Sequence, residues 1–175
     1  MTSMNIGMLK KDEESKCDLP ADLSPSAVAE ITQLLRELLA IVFALYIKTK
    51  NFHWHMSGRH FRDYHLLLDE QAGQLLAITD TIAERSRKLG GKTIRSIEEI
   101  SLDLRIKENN QEFVAPEEML RELATDNGSL TVYMRAAHES CDKHRDVATA
   151  SLTEVWIDEA ERRTWFLRET AQGYK

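Results

Sequence analysis

Residues 51–91 read NFHWHMSGRHFRDYHLLLDEQAGQLLAITDTIAERSRKLGG, and two turn signals divide them. Ser57-Gly58 closes one segment, and Gly90-Gly91 closes the next. Between those turns Phe61, Leu66, Leu67, Leu68, Leu75, Leu76, Ile78 and Ile82 supply the apolar positions of one long helix. Upstream, Ser24-Pro25 offers an N-cap followed by proline at the first helical position. Val28, Ile31, Leu35, Leu38, Leu39, Val42, Phe43 and Tyr46 then recur at intervals of three and four. A first helix is expected from about Pro25 to about His55, and the short link that follows makes the two helices antiparallel neighbours.

Outward from this hairpin, residues 92–114 are less regular and read as a crossover, with Ser96 to Ser101 able to form a short helix. Pro116, Glu117 and Glu118 open a third helix, with proline first and acids where the helix dipole favours them. Its interior contains the turn signal Asp126-Asn127-Gly128, yet Leu120, Leu123, Leu130 and Met134 keep one stripe, so the helix is read as continuous. A fourth helix begins near Asp146 and carries Leu152, Val155, Trp156 and Trp165. Three prolines and seven glycines in 175 residues favour long helices over many short strands. The expected class is all-α, a four-helix bundle with a short helix in the long crossover between the second and third helices. One domain spans residues 24–175, after a flexible tail over residues 1–23.

Several function classes are disfavoured. A formal net charge of -6 opposes unaided attraction to nucleic acid. No apolar run approaches the roughly 20 residues of a membrane span, and charges sit where a signal peptide would be apolar. A cytoplasmic protein is the expectation. Cys17 and Cys141 form neither a disulfide framework nor a CxxC metal site, and read as free, reduced thiols.

Chemistry is concentrated on the second helix. Turning about 100° per residue from His65, Asp69 falls near 40°, Asp80 near 60° and Glu84 near 100°, all on one stripe. Asp69 and Asp80 are nevertheless roughly 16 Å apart along the axis, too far to share a metal within one copy. His65 and Glu84 are symmetric about a point between Gln74 and Leu75, and so are Asp69 and Asp80. Two copies crossing antiparallel about a two-fold axis there would bring His65 and Asp69 of one against Asp80 and Glu84 of the other, with Gly73 allowing close approach. His53 joins the set because it lies six residues before position 59 while His65 lies six after. Carboxylates with a few imidazoles suit one or two iron ions per centre with open positions for an oxidant. His55 and His60 read as surface or pore residues. Trp54 is either a core aromatic or a redox-active neighbour of the metal.

KTKNFHWHMSGRHFRDYHLLLDEQ, followed by ITDTIAERSRKLGG, resembles the signature of the Dps family, the DNA-protecting mini-ferritins. The resemblance covers about residues 45 to 91 and, through helix order, most of the chain. It implies a ferritin-like fold, a hollow dodecamer and a ferroxidase centre between two-fold-related subunits. Carried over by position, His53, His65, Asp69, Asp80 and Glu84 match the family's ligands and Trp54 its neighbouring tryptophan. The implied reaction is oxidation of Fe(II) by hydrogen peroxide or oxygen, with ferric mineral stored inside and the cell protected from oxidative damage. Two departures stand out. Lys10, Lys11 and Lys16 are outnumbered by Asp12, Glu13, Glu14, Asp18 and Asp22, so the tail is net acidic and DNA binding is expected to be weak or absent. Thr149-Ala150 is followed by Ser151 where the family often has an aspartate lining its iron-entry pore; Asp142, Asp146 and Glu154 are alternatives. Two competing readings are a classical ferritin, disfavoured because no Glu-x-x-His occurs, and a DNA-compacting structural protein with little ferroxidase activity.

Overall fold

Ser24 stands in extended backbone and its side-chain hydroxyl accepts a hydrogen bond from the Ala27 N–H at 3.2 Å, so the first helix starts where its cap dictates. The computed structural model describes residues 23–172, and the tail expected over residues 1–23 lies almost wholly outside them. Five helices follow in order: α1 Pro25–His55, α2 Phe61–Lys88, α3 Ile97–Leu102, α4 Pro116–His144 and α5 Val147–Ala171. No strand occurs among the described residues. The fold is all-α: α1 packs on α2 and α4 on α5 as two hairpins, α1 joins them through α4, and α3 lies against α1 in the crossover.

Each junction has a local cause. Gly90 takes φ 84° beyond the end of α2, a left-handed conformation that glycine adopts without strain. Gly91 next to it has no room for a side chain, because a Cβ there would meet Thr32 Cγ2 of α1 at 2.4 Å. Asp146 caps α5 by accepting from the Thr149 N–H at 3.1 Å, and Arg85 of α2 donates to the same carboxylate at 2.7 Å. Of the three alternatives for pore charge, Asp146 is buried, paired with Arg85 and occupied as a cap.

The helix α4 runs unbroken through Asp126-Asn127-Gly128. Its polar residues are inward and satisfied there. Asp126 binds the buried Lys48 at 2.6 Å, which also contacts Glu122 at 2.6 Å. Asn127 donates to the Leu123 carbonyl at 2.9 Å and accepts from Arg163 Nε at 2.9 Å. Arg163 is a guanidinium inside the bundle, and burial lowers its pKa to about 10. Cys141 is also buried, its thiol pushed up to about 12, so it is inert as a nucleophile.

The core combines Leu35, Leu38, Ile41 and Leu45 with Leu68, Leu75 and Ile82, and with Leu120, Leu123, Leu130, Met134, Trp156 and Leu167. Not every apolar residue of the periodic stripes belongs to it. Phe61, Leu66 and Leu76 on α2, and Val155 and Trp165 on α5, are exposed. On α2 the reason is angular: Leu66 and Leu76 sit about 100° and 20° round from His65, on the stripe of the acidic residues rather than opposite it. On α5 the inward face is carried by Thr149, Ala150, Thr153, Trp156, Ala160 and Thr164.

The α1 and α4 helices are tied near the end of the bundle by Glu30. Its carboxylate accepts from His144 Nε2 at 2.9 Å, Ser140 Oγ at 2.8 Å and Lys143 Nζ at 3.1 Å. These bonds, His144 first, hold its pKa down at about 2 against an ordinary 4.5. A depressed carboxyl pKa adds stability above the unfolded value and loses it as pH falls through the folded one. Urea unfolding of the parent is therefore expected to weaken between about pH 4.5 and 2, and Glu30→Gln to flatten that limb while lowering stability at pH 7. Equal acid limbs in both proteins would show that Glu30 does not carry it.

Candidate metal centre

His53 lies in the last turn of α1 and His65 in the second turn of α2, on either side of the reversal at Met56 to His60. Their rings stack with centroids 3.7 Å apart and planes inclined by 22°. Each ring's Nδ1 lies 2.9 Å from the other residue's backbone carbonyl oxygen. A carbonyl only accepts, so in each neutral ring Nδ1 carries the proton and Nε2 keeps its lone pair. Backbone orientation of this kind is how imidazoles are prepared to bind a metal through the opposite nitrogen.

Asp69, one turn beyond His65, places Oδ1 3.8 Å from His53 Nε2. The same oxygen accepts from Lys50 Nζ at 2.8 Å. That bond and the ammonium's charge hold the Asp69 carboxyl below its ordinary range, with smaller contributions from His53 and His65. The Phe61 ring lies 4.9 Å from His65, and Trp54 projects from the end of α1, 62% exposed, which excludes the core reading of that tryptophan. Lys50 was not singled out in the sequence, and Phe61 only as an apolar position of the second helix. Lys50 had a signal, since it precedes His53 by three residues and so shares its helical face.

Asp80 and Glu84 are exposed further along α2, and Glu84 pairs with Lys88, its i+4 neighbour, at 2.9 Å. The structure thus brings His53, His65 and Asp69 together and leaves Asp80 and Glu84 about three and four turns beyond Asp69 on the same exposed stripe. Among the described residues of one chain no three His, Cys, Asp or Glu side chains converge closely enough to hold a metal ion. Between the two acidic ends lie Gly73, Leu76 and Ala77, all exposed, and a Cβ on Gly73 would meet nothing within 4 Å. His55 is exposed and bonds the Asn51 carbonyl of its own helix at 2.8 Å, while His60 precedes α2 at the surface. Of the remaining pore candidates, Asp142 and Glu154 flank His138 at 3.4 and 3.1 Å.

A ferritin-like domain model matches residues 32–175. Over 162 residues the chain is 30% identical to the DNA protection during starvation protein of Agrobacterium fabrum, covering 93% of this chain and 98% of the relative. The chain belongs to the Dps family of ferritin-like proteins. It is also 33% identical to a low temperature-induced protein of Nostoc sp. over 144 residues, 82% of this chain and 80% of that one. The fold superposes on DpsC from Streptomyces coelicolor with a TM-score of 0.86 at 25% identity, covering 90% of this chain and 92% of DpsC. Iron storage and protection against oxidation are the general role of the Dps family, and the ferritin-like bundle described above is its fold. No helix among the described residues is long and apolar enough to cross a membrane.

Proposed function

We propose that this Dps protein is a cytoplasmic ferroxidase whose centres are completed between subunits. His53, His65 and Asp69 of one copy and Asp80 and Glu84 of a two-fold partner hold one or two iron ions, which are substrate and cargo. The supporting observation is the reciprocal His53–His65 pair, which keeps both Nε2 atoms off the backbone and sets that of His53 3.8 Å from Asp69 at the edge of an exposed α2 stripe. That stripe has the composition of an isologous contact: acids at its far end, Leu66 exposed beside His65, and Leu76 exposed with an open Gly73 near the middle. Twelve such chains form the hollow shell implied by the family resemblance.

Two Fe(II) ions each give up one electron and hydrogen peroxide accepts both. Its O–O bond breaks and, with protons, both oxygens leave as water or hydroxide, so no hydroxyl radical is released. Oxygen is the alternative acceptor. The carboxylates stabilise the higher charge of Fe(III), and the ferric product passes to a mineral inside the shell. Trp54, next to His53 at the end of α1 and exposed in one chain, stands as a neighbour of the site and not a ligand.

Removing two first-sphere carboxylates should cost at least the roughly 10- to 100-fold that loss of even an outer partner costs a metal site. Anaerobic addition of Fe(II) and peroxide to the assembled Asp80→Ala plus Glu84→Ala protein is expected to show that drop in the initial rate of iron oxidation. An assembled variant as fast as the parent would refute the site. The DNA-compacting alternative meets a net acidic tail, outside the described residues, and an overall charge of -6. In a low-salt gel shift the purified assembly is expected to leave duplex DNA unretarded, and a shift at moderate protein concentration would restore that alternative.

A further inference from the structure

The same Oδ1 of Asp69 that faces His53 Nε2 across 3.8 Å is already held by the Lys50 ammonium at 2.8 Å. Lys50 is not a loose surface lysine: its side chain is 18% exposed against 58% for Asp69, and its ammonium lies 6.0 Å from the centre of the Trp54 ring. It stands one turn before His53 on α1, so the element that supplies an imidazole also supplies a competing cation. We infer that Lys50 is a built-in competitor for the metal, pairing with Asp69 while the centre is empty and yielding that carboxylate to an entering divalent cation. This rests on the metal centre proposed above.

The exchange is selective by charge. A monovalent cation gains no more from the carboxylate than the tethered ammonium already does. A divalent cation has twice the charge and also takes the Nε2 lone pairs of His53 and His65. The gap of 3.8 Å is within the reach of two metal bonds of roughly 2.1 Å each. The displaced ammonium stays covalently close, so its repulsion sets a threshold concentration below which the centre remains empty. A purely supporting Lys50, holding Asp69 in place for the metal, would have the opposite effect on affinity.

The sign of the change separates the two roles. Calorimetric titration of Co(II), a probe that needs no oxidant, is made on the assembled parent and on Lys50→Gln, Lys50→Met and Lys50→Arg. Removing one unit charge about 5 Å from a dication in a water-like dielectric should lower half-saturation on the order of tenfold. Lys50→Gln and Lys50→Met are expected to show that tightening, with the methionine retaining the apolar stem beside Trp54, and Lys50→Arg to stay near the parent. Unchanged or weaker binding in both neutral variants overturns the inference. Asp80→Asn plus Glu84→Gln, titrated alongside, is expected to lose the site. If it binds Co(II) like the parent, the metal centre itself is wrong and the role of Lys50 falls with it.

Discussion

Two hydrogen bonds across one helix reversal organise the functional half of this molecule. His53 and His65 each donate Nδ1–H to the other's backbone carbonyl, which couples the last turn of α1 to the start of α2. The bonds have three effects at once. They give the His53 carbonyl in the last turn of α1 a partner, keep two aromatic rings stacked, and direct both Nε2 lone pairs away from the backbone. Phe52 and Met56, both buried, anchor the α1 side of the reversal in the core.

The α2 helix then has two faces with different work. Leu68, Leu75, Ile78 and Ile82 face the bundle, while Leu66, Asp69, Gly73, Leu76, Asp80 and Glu84 face outward. Because the outward series is nearly symmetric about the bond between Gln74 and Leu75, the arrangement is self-complementary. A rigid helix keeps Asp69 and Asp80 apart, so chemistry that needs both must come from two copies. Fold and proposed function meet in that stiffness.

Helix boundaries were legible in the sequence because their causes are local. Ser24-Pro25, Pro116 and Asp146 act on the residues immediately after them, and each starts a helix where expected. The grouping of His53, His65 and Asp69 was legible for a similar reason, since one short reversal and one helical turn relate them. Periodicity failed where an apolar residue faces away from its own bundle: Leu66, Leu76, Val155 and Trp165 look like core in a list of apolar spacings, and the structure exposes them. The pairing of Asp146 was not legible because its partner Arg85 is 61 residues distant in sequence. Lys50 escaped notice because a lysine near a carboxylate is ordinary, and only its sharing of one oxygen with the His53 side sets it apart.

A mixed assembly isolates whether the centre belongs to one chain or to two. One chain carries His53→Ala with His65→Ala and the other Asp80→Ala with Glu84→Ala, each inactive when assembled alone. In a two-fold pair of unlike chains, one centre loses four of its five ligands and the other keeps its complete set. Initial iron oxidation by co-assembled chains should therefore recover to about half the parent rate per unlike pair, a count of one intact centre in two. Mixed shells of confirmed composition that stay as inactive as either parent variant would contradict a centre shared between subunits.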